Sequence, residues 1–476
     1  MSATDLSSPA SPHLYDLPTE LVEIIVSMLT LKDKLMLREV CRCLNACVLS
    51  LLKTETHFAV WIGQASMRDM ALHQICMMHD VSYMLTHNTN CCDCFLPIDG
   101  GNSLHIWREQ PHVQWKKMFT FLAKRMPSLT VIVLKTSYDF DPIPNSGNPN
   151  NFVDKFLSKY SPQLRCLAID DWPLWSERHV FPELRHLSVE SIIGDVRELF
   201  SRANKLTHLS CRSFVTKDFQ NLPSRLQSLV VFDPSGSYKD VGGEDGLSAL
   251  LRSPVRANIR SIKIGERARV NFTDSDNQCF PQLHTLHVFL MNVMDYPAGD
   301  LATRRLTNML TNCTKVKDFQ LLYTGGRTGI LDFMSRQVRS LSFPHSHEYI
   351  SSLRCLLKLE NLVELDFEMR NIRDLPQQIV FRQLKILWIE LRSSDVPVTL
   401  TLLKNLENVQ FLHLHSGEIV DRMDELVHEL ESLKQDKALV WGRVTDYEKD
   451  RVISSVSLPV ARRKYYALKQ QLLHFP

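Results

Sequence analysis

The side chains best suited to metal or nucleophile chemistry cluster at Cys76, His79, His87, Cys91, Cys92 and Cys94. Thiolates and imidazoles are zinc ligands, but a structural zinc needs two ligand pairs at short, defined spacing that close a tetrahedron. Cys91-Cys92-Asp93-Cys94 is not a C-x-x-C pair and the other members are loosely spaced. The group therefore reads as loop thiols with a packed Cys76, and no metal or cofactor is expected. Gly325-Gly326-Arg327-Thr328-Gly329 lacks the Gly-Lys-Ser/Thr ending of a phosphate-binding loop and reads as a turn. His186, His208 and His287 recur with the period of a repeat, as polar residues on a solvated strand face would. With no G-x-S-x-G elbow, HExxH pair or P-loop, no catalytic residue is assigned and the chain reads as non-enzymatic. The enzymatic alternative would use Cys91, Cys92 or Cys94 as nucleophile.

At 476 residues, 44% hydrophobic and 23% charged, the composition is that of a soluble globular protein with room for several domains. A net charge of +2 gives no electrostatic reason to expect nucleic acid or an acidic membrane. The twelve cysteines are irregularly spaced, and Cys166, Cys211 and Cys355 sit in apolar patterns. That fits reduced thiols and a cytoplasmic or nuclear location. The opening MSATDLSSPASPHL has no signal-peptide pattern. No run of about 18 apolar residues marks a membrane span.

Leu17 to Val48 must build whatever the N-terminus does. Pro18 suits a first helical turn, and Leu21, Ile25, Met28 and Leu29 recur on one helical face, with Val22 and Ile24 off that stripe. Thr30 and Asp33 resemble a capping box, so a second helix is expected from near Leu31. Leu44, Val48, Leu49 and Leu52 predict a third. About 40 residues are too few for a self-sufficient core, so these helices need a partner or the rest of the chain.

Leu17-Pro18, Glu20-Leu21, Ile24-Ile25, Leu29, Asp33-Lys34-Leu35 and Val40-Cys41-Arg42 together resemble the F-box motif. Leu44 stands near the place of the family's usual Trp. The resemblance implies a three-helix module that binds a Skp-type adaptor, and through it a cullin and a RING subunit. By motif position it implies Leu17, Pro18, Leu21, Ile24, Leu29, Val40 and Cys41 as adaptor contacts.

From Ser128 the pattern LxxLxL occurs twelve times, from Leu129-Ile132-Leu134 to Val409-Leu412-Leu414. From Leu164 the copies begin 20 to 33 residues apart. One copy cannot bury its own apolar face, so neighbours must stack. The repeats resemble the irregular, F-box-associated leucine-rich type, although the Asn that usually follows the strand is mostly missing. The expected fold class is α/β: a three-helix F-box, then a solenoid with a parallel concave sheet and outer helices. The expected boundaries are 1–13 leader, 14–55 F-box, 56–127 largely helical connector, 128–444 repeats and 445–476 closing helix. Tyr138 to Asn151 and Asp233 to Gly246 read as loops rich in turn residues.

In LxxLxL the residues flanking and between the last two leucines face the open side of the sheet. This places Phe232, Phe289, Trp388 and Phe411 in solvent, with Glu364, Asp366, Glu368 and Glu390 as an acidic patch beside Trp388. Either a basic, partly apolar segment of a target protein is the ligand of these eight residues, or the terminal helix or a long loop folds over the aromatics. The leading expectation is a substrate receptor of a ubiquitin ligase, and the alternative is a repeat scaffold without ligase function.

Overall fold

The structure is a computed structural model. It describes residues 17–29, 34, 36–54, 56–63, 103–107, 112–136, 156–169, 171–172, 179–192, 195–234, 246–267, 279–291, 308–323, 336–343, 359–369, 383–391, 396–404, 408–416, 423–436, 440–445, 450–454, 468 and 471–472. Outside them lie the leader, residues 30–33, the Cys76–Cys94 group, Tyr138–Asn151, 235–245, Gly325–Gly329 and most of the expected closing helix. The chain divides into two compact units: Met1–Arg68 with Cys92–Asp170 and Leu174–Arg185, and Asp69–Cys91 with Asp171–Pro173 and His186–Pro476.

The first unit begins with helix Thr19–Ser27, whose first turn is closed on the Pro18 carbonyl by Leu21 N–H at 3.0 Å and Val22 N–H at 3.1 Å. Val22 and Val26, one turn apart, pack toward helix Arg42–Thr54, which buries Leu44, Cys47, Val48 and Leu52. A third helix, His112–Arg125, ends just before Pro127. The stretch expected to be a largely helical connector also supplies strands β1 (His57–Gly63) and β2 (Ser103–Trp107). With β3 (Val131–Thr136) and β4 (Cys166–Ile169) they form the parallel order β2-β1-β3-β4. HFAVWIG in β1 lacks the leucine spacing but carries the β-branched and aromatic residues that suit a strand.

The second unit is the repeat array. Its strands are β5 (Asp171–Trp172), β6 (His186–Ile192), β7 (His208–Phe214), β8 (Ser228–Pro234), β9 (Ser261–Arg267), β10 (Thr285–Met291) and β11 (Asp318–Tyr323). Then come β12 (Ser340–Phe343), β13 (Glu364–Met369), β14 (Ile386–Leu391), β15 (Phe411–Ser416) and β16 (Val440–Thr445). Each of these twelve pairs in parallel with the next. A strand the sequence did not predict, β17 (Asp450–Ser454), closes the series antiparallel to β16. Short helices return the chain, among them Val196–Arg202, Gly246–Arg252, Val396–Lys404 and Met423–Asp436.

The leucines of successive copies occupy the same rung. Leu187 pairs with Leu209, Leu209 with Leu229, and the row continues through Ile262, Leu286 and Phe319 to Leu412, buried throughout. A strand's two-residue period makes that row the core.

The turns before the strands carry a signal that the leucine pattern does not. Asn258 donates its amide to the Ser224 carbonyl at 2.9 Å, and Asn361 to the Arg336 carbonyl at 3.0 Å. In the first unit Gln163 donates to the Leu129 carbonyl at 2.8 Å. Each amide stands immediately before the first leucine of its copy and ties it to the copy before, satisfying a turn carbonyl.

Candidate functional site

Helix Thr19–Ser27 has two apolar faces, and only one packs on another described element. Leu21, Ile24, Ile25 and Met28 follow i, i+3, i+4, i+7 spacing and are all exposed, Met28 at 77%. The stripe seen in the sequence is therefore the solvent face, and Ile24 belongs to it. The buried face is Val22 and Val26. Met36 and Val40, the latter 62% exposed, add to the apolar surface of the same segment. Of the eight large exposed apolar side chains among the described residues, these are six; the others are Val180 and Val215. Apolar exposure concentrated in so short a stretch marks a partner surface.

Of the expected adaptor contacts, Pro18, Leu21, Ile24 and Val40 are exposed, while Leu17, Leu29 and Cys41 are half-buried. Cys41 Sγ accepts from Leu44 N–H at 3.4 Å at the start of helix Arg42–Thr54. Ile25, Met28 and Met36 were not among the expected contacts, although the stripe already held two of them. Arg38 holds the segment's far end: its Nε donates to Asn45 Oδ1 at 3.1 Å and its guanidinium lies 4.4 Å from the Phe121 ring centroid. Burial, then the charges of Glu23 and Cys43, push the Cys47 thiol up, which keeps it protonated and unreactive.

The sheet's outward face differs from expectation. Trp388 and Phe411, placed in solvent by the repeat pattern, are 5% and 3% exposed. The Trp388 ring lies 4.9 Å from Phe411 and 4.1 Å from His413, its partner on the next strand. Strands about 4.8 Å apart set large side chains on neighbouring rungs against each other, so they cover themselves. Glu364, expected in an exposed patch, is 3% exposed and accepts the Ser340 hydroxyl at 2.6 Å. Half-buried Asp366 accepts the Ser342 hydroxyl at 2.7 Å. Glu368 and Glu390 share a rung, and Phe232 and Phe289 sit in β8 and β10; these four side chains lie outside the described residues.

The histidines are also less solvated than expected. His287 is buried with its Nε2 3.1 Å from Asp318 Oδ2. His186 and His208 stack at 4.1 Å, and burial together with His186 lowers the pKa of His208 to about 3. Ser340 and Ser342 spend their hydroxyls on carboxylates rather than on an imidazole, unlike a nucleophile beside its base. Burial raises the Cys211 thiol far above its usual range and Cys313 to about 11.

Helix Thr19–Ser27 leaves one apolar face exposed, and the described repeat strands cover their own large side chains. Residues 14–56 match the F-box domain. The chain thus carries an F-box domain, and the strands that follow it repeat the leucine pattern in register. No curated protein is significantly similar to it. Among solved structures, the TLR13–ssRNA13 complex aligns at 14% identity and a TM-score of 0.33, over 69% of this chain and 49% of that one. This chain thus spans about half of that chain. The leucine-rich repeat domain of APL1B aligns at 11% identity and a TM-score of 0.28, over 67% of this chain and 84% of that one. The plant peptide hormone receptor RGFR1 in complex with RGF2 aligns at 11% and 0.20, over 63% and 60%. At these TM-scores the likenesses carry no argument; the repeats rest on the chain's own in-register strands. No described helix is long and apolar enough to cross a membrane.

Proposed function

We propose that the chain is the substrate-recognition subunit of a Skp–cullin–F-box ubiquitin ligase, acting in the cytoplasm or nucleus without an active site of its own. The F-box binds a Skp-type adaptor through Leu17, Pro18, Leu21, Ile24, Leu29, Val40 and Cys41, with Ile25, Met28 and Met36 extending the contact. The adaptor joins a cullin and a RING subunit, and the repeats hold a target protein. The chain then works by proximity, raising the effective concentration of target lysines near the conjugating enzyme.

The observation that carries this reading is the exposed stripe Leu21, Ile24, Ile25 and Met28 within the F-box match. Burying such side chains against a partner supplies about 1.5–3 kcal/mol each, enough for a stable complex. The test is capture of a purified Skp-type adaptor by the full chain and by a Leu17→Ala/Pro18→Ala variant. Stoichiometric capture that falls in the variant is the expected result. A folded wild-type chain that captures none would leave the helices a mere cap on the repeats.

A further inference from the structure

The position just after the first leucine of each copy forms a row along the edge where the strands begin. In the second unit it reads Thr207, Gln227, Arg260, His284, Lys317, Arg339, Val363, Lys385, Gln410. The backbone fixes the row. Arg260 N–H donates to Gln227 O, His284 to Arg260 and Lys317 to His284, each at 2.8 Å. Arg339 donates to Lys317 and Val363 to Arg339, both at 2.7 Å, and Lys385 donates to Val363 at 2.8 Å. Successive side chains therefore stand one strand apart, about 4.8 Å. Four permanent cations and a histidine occupy six consecutive places, with neutral residues at both ends.

These cations are available. Arg260 is exposed, and Lys317, Arg339 and Lys385 are half-exposed. None of the four has an ion pair with a described residue. Two carboxylates that begin these strands are turned inward instead: Asp318 meets His287, and Glu364 meets Ser340. The cations are also close enough to feel one another. Burial lowers the pKa of His284, and Lys317, Arg260 and Lys315 lower it further, against a hydrogen bond that the imidazole donates to the Gln282 backbone. Like charges on neighbouring rungs destabilise a sheet, so the row has a standing repulsion that a bound anion would relieve.

We propose that the row from Arg260 to Lys385 docks an extended acidic segment of the target protein. This rests on the target-holding role proposed for the repeats, and it names the chemistry recognised. Five strand spacings span about 24 Å, which about seven residues of extended chain cover. A single-stranded nucleic acid is the lesser fit, because such strands need aromatic platforms. The residues one place before these copies' first leucines are Asn258, Gln282, Lys315, Gln337, Asn361 and Gln383, with no aromatic among them. The edge also reverses the expectation of a basic ligand at Glu364 and Asp366.

The test is fluorescence anisotropy of the full chain with labelled octaglutamate, octaglutamine, octalysine and a short oligothymidylate. Octaglutamate should bind, and raising salt from about 50 to about 300 mM should weaken it at least about tenfold. Lys317→Ala/Arg339→Ala should weaken it about tenfold and Lys317→Glu/Arg339→Glu abolish it, with melting and adaptor capture unchanged. A Lys124→Ala/Lys404→Ala control should bind as wild type. No octaglutamate binding, binding indifferent to the row variants, or tighter binding of octalysine or oligothymidylate would overturn the proposal. Loss of adaptor capture by the wild type would overturn the F-box role alone.

Discussion

Helix Thr19–Ser27 leaves Leu21, Ile24, Ile25 and Met28 in solvent and buries only two valines. In the repeats, by contrast, Ser340, Glu364, Asp318 and His287 are all buried beside a continuous leucine row. The helices are too short to enclose their apolar residues, and the proposed adaptor would finish their core. The array finishes its own, because each strand is roofed by its neighbours and large or polar side chains on adjacent rungs satisfy one another. What one region offers a partner is apolar area, and what the other offers is charge at its edge.

The contrast can be broken by substitution. Phe319→Ala removes a fully buried ring from the leucine row and should cost about 3–5 kcal/mol in urea unfolding of the repeats, while adaptor capture by the folded fraction persists. Ile24→Asp/Met28→Asp should weaken adaptor binding by about a hundredfold yet leave the melting temperature near wild type, since neither side chain is in the intramolecular core. If melting fell as far as in Phe319→Ala, the two regions would not differ as described. Ser340→Ala removes one donor from buried Glu364 and should cost about 1–2 kcal/mol, with no effect on adaptor binding.

The smallest expected effect is a pH dependence. His208 is held neutral down to about pH 3 in the fold, whereas the unfolded chain takes up that proton below about 6.5. Its contribution is therefore full above about 6.5 and declines as pH falls toward 3. In His208→Asn the melting temperature should fall less between neutral and mildly acidic pH. An unchanged pH profile would mean that the stacked His186–His208 pair is solvated after all.

The repeat register was legible because leucine spacing states it directly, and His186, His208, Ser228 and Ser261 pair as the pattern aligns them. The F-box helices were legible from Leu17-Pro18 through Val40-Cys41-Arg42, although which face of the first helix is buried was not. Val22 and Leu21 are equally apolar, and only the neighbouring helix selects between them. The burial of Trp388 and Phe411 depends on side chains more than 20 positions apart meeting across adjacent strands, and a single copy cannot show that. β1 and β2 were missed because their sequences carry no leucine spacing. The amides of Gln163, Asn258 and Asn361 precede the first leucine of their copies, whereas the leucine-rich pattern places its Asn after the strand.

The copies begin 20 to 33 residues apart, yet every described rung from His186 to Phe411 stays aligned. Lengthening a return leaves the ladder untouched, whereas deleting one residue within a strand would turn its leucines outward. An engineer could therefore splice a tag or a sensor domain between two copies without rewriting the edge code. Changing what the edge recognises would take point substitutions, and changing its reach would take duplication of a whole copy.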